Sequence, residues 1–522
     1  MNQEKVFRLA KPVRKGILRL VFSRFLLIFL LMILQIFLMI GFYGWLKELI
    51  PYFAAFMSAF TVLMVIYLFN LPMDSSGKLT WMFLISILPI PGAVLLLFTQ
   101  KDVGHAVIRR RAEVQIRDTR DMLRQEPSVS EALSADRGGL DDLVRYLNRS
   151  GCFPAYDRTA VTYYPSGEEL LPALLEELEK AEKYIFLEFF ILEEGHMWGS
   201  VLEILTRKAL EGVEVRVMYD GMCEMKQLPI NYYKLLRAHG IRAKAFSPIK
   251  PAVSSHYNYR DHRKILVVDG KTAFTGGVNL ADEYINRIHP FGRWKDAALR
   301  LEGPAVRSFT LMFLQMWNTT EPEPDYGSWL EIPAWPREDG SGWVVPYGDC
   351  PLDGDRVGES VYMDILYRAN DYVHIMTPYL ILDGELETAL RYAAERGIDV
   401  KIILPGIPDK KLAYALAKSH YASLLKAGVK IYEFTPGFVH AKVFTSDDTK
   451  AVVGTINLDY RSLYHHFECA AYLYRCPEIG KIEADFQSTL AQCREVTEET
   501  LRREKLFYRL MGPIMKLIAP LM

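Results

Sequence analysis

One phrase occurs twice in this chain, and its repetition narrows the possible folds further than any other property of the sequence. His262-Arg263-Lys264 is followed after four residues by Asp269, and His440-Ala441-Lys442 after four residues by Asp447, so both fit H-x-K-x4-D. An Asn follows each His at the same offset of 17, as Asn279 in Gly276-Gly277-Val278-Asn279 and as Asn457 in Gly454-Thr455-Ile456-Asn457. One H-x-K carries almost no information; two with constant spacing point to an internal duplication. The surroundings repeat as well. Residues 184–191 read as an apolar strand, then a helix-like stretch, then a strand at 212–218; residues 372–379, 385–396 and 397–403 repeat that order, with a Gly closing each helix. Strand–helix–strand order predicts an α/β fold with crossover helices. The two halves are placed at 151–325 and 326–500, joined through the Pro-, Gly- and Trp-rich stretch 325–355.

The residues after each His are apolar and partly β-branched, which places each phrase on a strand. His and Lys at i and i+2 then face the same way, about 6–7 Å apart. A fixed ammonium beside an imidazole suits an anionic oxygen cluster: Lys supplies charge, and His supplies a nucleophilic nitrogen or a proton. The Asn amide can donate to a second oxygen. Two such faces brought together offer what in-line displacement at a phosphodiester needs, one His attacking phosphorus and the other protonating the leaving alkoxide. Asp269-Gly270 also reads as a hairpin turn, and Asp447 is followed by Asp448, so both Asp have a structural reading beside a catalytic one. Each phrase has one His and no clustered carboxylates at ligand spacing, so no metal and no other cofactor is expected.

Composition adds a membrane. Half of the 522 residues are hydrophobic, which excludes a mainly disordered chain and is high for a purely soluble enzyme. Three runs carry no charge, 25–46, 49–71 and 79–99, each meeting the roughly 20-residue requirement for a span. Pro89 and Pro91 should kink or break the third. The region 25–99 is therefore read as an α-helical membrane region, preceded by a basic segment 1–24 and followed by a charged connector, 100–150. The net charge is −1, and residues 1–24 hold seven Lys/Arg against one Glu, leaving −7 on the rest. That balance argues against a nucleic-acid partner. Six scattered cysteines without a C-x-x-C pair argue against a zinc site or a disulfide framework and suit a reducing space.

With these residues in view, the chain resembles the bacterial cardiolipin synthases of the phospholipase D superfamily. Beyond the paired motifs, the resemblance rests on residues 81–92 in the membrane part, on Tyr219-Asp220-Gly221, on residues 276–284, on Thr377-Pro378-Tyr379, on residues 457–462 and on Phe467-Glu468. It implies two phospholipase D-like halves forming one shared active site. It implies a phosphatidyltransferase joining two phosphatidylglycerol molecules into cardiolipin and glycerol through a phosphatidyl-histidine intermediate, without metal. It implies His262 as nucleophile and His440 as general acid, then base, although the residues themselves do not distinguish the two. Lys264, Lys442, Asn279 and Asn457 would bind phosphate, and Asp269 and Asp447 complete the catalytic motifs. Asp296 and Glu468 would orient the histidines, although they stand 34 and 28 residues after the His of their own half. His466 stands where such proteins often have Asn, and many of them have two N-terminal spans rather than three.

The same motifs would serve a phospholipase D-type hydrolase, or a transphosphatidylase using another alcohol; intact motifs in both halves weigh against a non-catalytic membrane scaffold. The expected partners are phosphatidylglycerol, cardiolipin and the bilayer, and no oligomeric state is indicated. The expected location is the bacterial cell membrane, multi-pass, with the catalytic half cytoplasmic because Arg109-Arg110-Arg111 follows the last run. Both ends of the membrane region are rich in Lys/Arg, which asks for an even number of crossings, against three hydrophobic runs. Residues 501–522 carry apolar residues at helical spacing interspersed with Arg502, Arg503, Lys505, Arg509 and Lys516. This segment is expected either to lie on the membrane surface or to pack on the catalytic core.

Overall fold

The computed structural model describes residues 7–9, 33, 37, 50–71, 73–100, 106–136, 138–248, 259–331 and 335–521. The run 25–46 and the basic segment before it lie almost wholly outside the described residues. The run 49–71 forms α1 (Ile50–Phe69), about 30 Å long at 1.5 Å per residue. Among the described residues it is the one helix long and apolar enough to cross a membrane.

The run 79–99 does not form the expected span. It is divided between α2 (Ser75–Ile87) and α3 (Pro89–Gln100), about 20 and 18 Å long, each short of a ~30 Å hydrocarbon core. Pro89 and Pro91 withdraw the N–H groups that would carry a helix through Leu88. The two pieces fold against each other: a Cβ on Gly92 would lie 3.1 Å from the Ile85 Cα. Leu96, Trp81, Ile85 and Leu68 close one buried apolar cluster.

The duplication is visible strand by strand. The first half contributes β1 (Ala160–Tyr164), β2 (Tyr184–Phe189), β3 (Glu214–Asp220), β4 (Arg242–Phe246), β5 (Arg260–Asp261), β6 (Lys264–Val268), β7 (Thr272–Gly276), β8 (Arg293–Lys295) and β9 (Ala298–Glu302). The second contributes β10 (Trp343–Asp349), β11 (Tyr372–Met376), β12 (Asp399–Pro405), β13 (Lys430–Phe434), β14 (Gly437–Val439), β15 (Val443–Ser446), β16 (Lys450–Gly454), β17 (His466–Tyr474) and β18 (Cys493–Val496). One sheet runs β1-β9-β7-β6-β2-β3-β4; the other runs β10-β17-β16-β15-β11-β12-β13 and adds β18 at its edge. The order is the same with each strand replaced by its counterpart. In each half the crossover predicted from sequence is present. β2 leads through α4 (His196–Leu210) to parallel β3, and β11 through α5 (Gly384–Glu395) to parallel β12. Gly212 and Gly397, at φ +94 and +96, turn the chain out of these helices in the left-handed region.

Both faces of each sheet are buried. On β6, Ile265 and Val267 join a core continuous between the halves, while Leu266 and Val268 face the outer helices of the first half. The second half continues through α6 (Lys411–Lys426) and α7 (Tyr460–Tyr464) to a C-terminal helix, α8 (Leu506–Ile518). α8 lies along α6 and reaches α2. Gly512 allows the close approach, since a Cβ there would stand 2.7 Å from the Ala415 carbonyl oxygen.

Candidate active site

Each His stands just ahead of a motif strand, β6 beginning at Lys264 and β15 one residue after Lys442, on a short stretch paired with the opposite half. β5 runs parallel to β17, and the His262 N–H donates to the Phe467 carbonyl at 2.9 Å. β14 runs parallel to β8, and the His440 N–H donates to the Lys295 carbonyl at 2.7 Å. Glu468 lies on β17 and Asp296 directly follows β8. The backbone pairing therefore carries each carboxylate to the histidine of the other half. His262 Nδ1 lies 2.9 Å from both Glu468 oxygens, and His440 Nδ1 lies 2.7 Å from Asp296 Oδ2. This crossing also explains the unequal offsets of 34 and 28, because neither carboxylate serves the His of its own half.

An ionised carboxylate at Nδ1 fixes the proton there and leaves Nε2 with its lone pair. Lys264 Nζ donates to the His262 carbonyl at 2.6 Å, and Lys442 Nζ donates to the His440 carbonyl while lying 2.9 Å from His440 Nδ1. All six side chains are buried. Burial, then the ammoniums of Lys264 and Lys442, hold His262 well below its ordinary value. Burial and Lys442 push His440 down to about 4 against the pull of Asp296. Burial lowers Lys264 to about 8 and Lys442 to about 7. Burial would raise Asp296, but His440, Lys442 and the Ala297 N–H together hold it below the usual carboxylate range. Each imidazole feels the lysines of both halves, so the two motifs share one electrostatic centre.

The motif Asp residues lie elsewhere, and their expected catalytic role is corrected. Asp269 accepts the N–H groups of Glu182, Lys183 and Tyr184 at 2.7–2.9 Å. Asp447 accepts those of Asn370, Asp371 and Tyr372, each at 3.0 Å. Both sit at positive φ, +53 and +54, opening the hairpin turns after β6 and β15. The four-residue spacing is the length of the strand between Lys and turn, and the carboxylate ties that turn to the chain entering β2 or β11. The expected phosphate ligands are partly committed. Asn279 accepts from the Ile191 N–H at 3.0 Å and donates to the Tyr284 hydroxyl at 2.8 Å, and the Tyr284 ring stands edge-on to His440. Asn457 donates to Asp459 at 3.2 Å, and its buried Oδ1 has no hydrogen-bond partner among the described residues.

Several site residues went unassigned from sequence. Positions 277 and 455 are equivalent in the two Gly-x-x-Asn phrases, and each touches a carboxylate. A Cβ on Gly277 would lie 2.0 Å from Asp296 Oδ1, whereas Thr455 donates its hydroxyl to Glu468. Asp220 accepts the Asp261 N–H at 3.1 Å and pairs with Arg260 at 3.3 Å, holding the strand that leads into His262. Trp294 and Phe438 pack beside His440, and Phe190 stands edge-on to His262. The available signals were the motif Tyr219-Asp220-Gly221 for Asp220 and the repeated Gly-x-x-Asn phrase for positions 277 and 455. The His466 ring lies 5.3 Å from the His262 ring, with Nδ1 3.6 Å from Glu468, and burial lowers it to about 3.

Among the described residues, two groups bring three possible metal ligands within 4.8 Å of one another, His262–His466–Glu468 and Glu359–Asp383–Glu385. In the first, Glu468 already receives His262 and Thr455, and two buried lysines stand nearby, a setting that favours an anion over a cation.

Two sheets of one topology, crossed at a paired His–Lys centre, define a two-repeat protein with phospholipase D-like halves. The family model described as cardiolipin synthase, PLD-like domain, matches residues 174–317 and 362–490. The chain belongs to the cardiolipin synthase family. A Streptococcus mutans protein named only as uncharacterized is 54% identical over 88% of this chain and 99% of its own. The cardiolipin synthase of Alkalihalophilus pseudofirmus is 33% identical over 85% of this chain and 88% of its own. Among solved structures, the phosphatidylserine synthase of Haemophilus influenzae superposes with a TM-score of 0.55 at 15% identity, covering 73% of this chain and 97% of that one, a likeness of fold alone.

Proposed function

We propose that this enzyme transfers a phosphatidyl group from one phosphatidylglycerol to the glycerol hydroxyl of another, giving cardiolipin and free glycerol, with the catalytic centre on the cytoplasmic face of a bacterial membrane. The observation that carries the reading is the crossed pairing of His262 with Glu468 and His440 with Asp296 around two buried lysines. With the phosphodiester anion bound, His440 carries a second proton on Nε2 as an imidazolium held by Asp296. His262 Nε2 attacks phosphorus, the P–O bond to glycerol breaks, and the alkoxide takes that Nε2 proton from His440. The phosphatidyl group then rests on His262. The hydroxyl of the second lipid gives its proton to His440 and attacks phosphorus, the P–N bond breaks, and both imidazoles return to their starting state. Lys264 and Lys442 neutralise the charge on the non-bridging oxygens. Burial and the two lysines lower both imidazoles, which suits a nucleophile that must stay neutral. Asp296 pulls the other way on His440, as suits a residue that must take up and release a proton.

Purified protein given phosphatidylglycerol alone tests this. Cardiolipin with glycerol is the expected product, and His262→Ala and His440→Ala should each abolish it. Phosphatidic acid with glycerol would make the enzyme a hydrolase, and absence of turnover would overturn the catalytic reading. A phosphatidyl adduct trapped on His440 would exchange the two histidine roles.

A further inference from the structure

The C-terminal helix α8 presents three different faces. At roughly 100° per residue, Gly512, Met515 and the following Ala519 fall together and are the buried side. Leu506, Phe507, Leu510 and Ile514 fall on a second side and are exposed by 66, 48, 58 and 54%. Arg509 and Lys516 fall on a third, between them. The first face is fully used. Met515 and Ala519 pack with Ile381, Ala413, Leu416 and Tyr460 of the catalytic half. The second face is covered by nothing among the described residues, although four large apolar side chains in one stripe are costly in water.

What surrounds α8 says what covers that stripe. The Thr80 hydroxyl on α2 donates to the Leu517 carbonyl at 2.7 Å, and Leu521 packs on the apolar cluster of the α2–α3 hairpin. The Tyr460 hydroxyl faces Ser76 at the start of α2. The C-terminal end of α8 is therefore anchored on the membrane region, through Leu517 and Leu521, and carries the exposed stripe beside it. The basic side carries Arg509, with no ion pair among the described residues, while Lys516 lies 3.3 Å from Glu387. A helix with an apolar stripe flanked by cations is built for the boundary between headgroups and acyl chains of an anionic bilayer.

We propose that α8 lies in the plane of the membrane, with Leu506, Phe507, Leu510 and Ile514 immersed in an anionic phospholipid leaflet, beside an α2–α3 hairpin that enters and leaves that leaflet on the same side. Tyr460 follows Asn457 by three residues, so the helix that sits in the lipid also packs on the loop bordering the catalytic centre. A lipid phosphodiester would reach His262 and His440 without leaving headgroup level. This rests on the membrane-bound reading of the enzyme and specifies which surface meets the lipid.

The test uses the full chain in phosphatidylglycerol-containing nanodiscs. Leu510→Cys, Ile514→Cys and Arg509→Cys are made one at a time with Cys493→Ser, the other native cysteines being buried, and labelled with a small fluorophore. Leu63→Cys on α1 reports on the membrane region itself. Lipids carrying a spin label on the acyl chain should quench probes at 510, 514 and 63 at least threefold more than at 509, and aqueous iodide should show the reverse. Iodide quenching at 510 and 514, with 63 still quenched by lipid, would put the helix in water and overturn the proposal. Quenching by neither reagent would mean that protein covers the stripe, and would overturn it as well. Loss of lipid quenching at 63 would instead refute the membrane reading beneath it.

Discussion

Replacing Asp296 with Asn tests the crossed geometry at a single atom. Asp296 Oδ1 accepts the Ala297 N–H at 2.9 Å, and Oδ2 faces His440 Nδ1 at 2.7 Å. An Asn keeps its carbonyl oxygen toward Ala297, because an amide NH2 there would oppose another donor. Its NH2 then faces His440 Nδ1. That nitrogen must give up its proton and accept, the proton moves to Nε2, and the nitrogen meant to receive the lipid's proton is blocked. Losing one charge-assisted hydrogen bond to the imidazolium is about 1.5–3 kcal/mol. Inverting the tautomer beside a catalytic histidine takes the total toward the ~10⁴-fold loss of a carboxylate-to-amide change in a Ser-His-Asp triad. Turnover of phosphatidylglycerol should therefore fall by about 10³–10⁴, or about 4–5.5 kcal/mol in barrier, with thermal unfolding little changed because the substitution is isosteric. A substrate with an activated phenolate leaving group needs no acid. With it, Asp296→Asn should recover adduct formation on His262, while Glu468→Gln, which disturbs the nucleophile, should not. Turnover of Asp296→Asn within tenfold of the parent on phosphatidylglycerol would refute the argument, and rescue of Glu468→Gln alone would exchange the roles of the two histidines.

The other predictions concern charge, architecture, topology and metal. Burial lowers Lys442 and Lys264 to about 7 and 8, so their ammoniums are present below those values and lost above them. Thus kcat/KM for a short-chain phosphatidylglycerol should fall as pH rises through 7–8, and a flat profile to about pH 9.5 would contradict the assignment of phosphate binding to these lysines. Asp269→Ala removes the acceptor of three backbone N–H groups and should cost about 2–4 kcal/mol in denaturant unfolding, with kcat per folded molecule within about threefold; a catalytic collapse at unchanged stability would restore the reactive role. If the α2–α3 hairpin returns to the face it entered and a second segment crosses beside α1, the number of crossings is even, as the two basic ends ask. In intact cells a membrane-impermeant thiol reagent should leave cysteines at residues 5 and 110 unlabelled, and labelling of residue 5 with 110 protected would restore an odd count. Chelator should leave purified enzyme active, because the lysines supply the positive charge; activity lost to chelator and returned by a divalent metal would revive the His262–His466–Glu468 group.

What the sequence determined by itself was the duplication and its chemistry. Strand length fixes how far a turn lies from the residue that starts the strand, so H-x-K-x4-D kept its spacing in both halves and could be read without coordinates. Pro89 and Pro91 likewise announced the break at Leu88, because a missing N–H acts locally. That the broken run folds back into a hairpin was not legible. It depends on Gly92 meeting Ile85 and on Leu96 reaching Trp81, contacts between residues whose order in the chain does not bring them together. The same limit governs the site. Asp269 and Asp447 looked catalytic through their company in the motif, and only the chain entering β2 and β11 showed what their oxygens hold. The sequence singled out Asp296 and Glu468 but could not say which histidine each serves, because that follows from β8 pairing with β14 and β5 with β17. Backbone hydrogen bonding between the halves decides it, and a pairing between distant strands leaves no trace in the spacing of either.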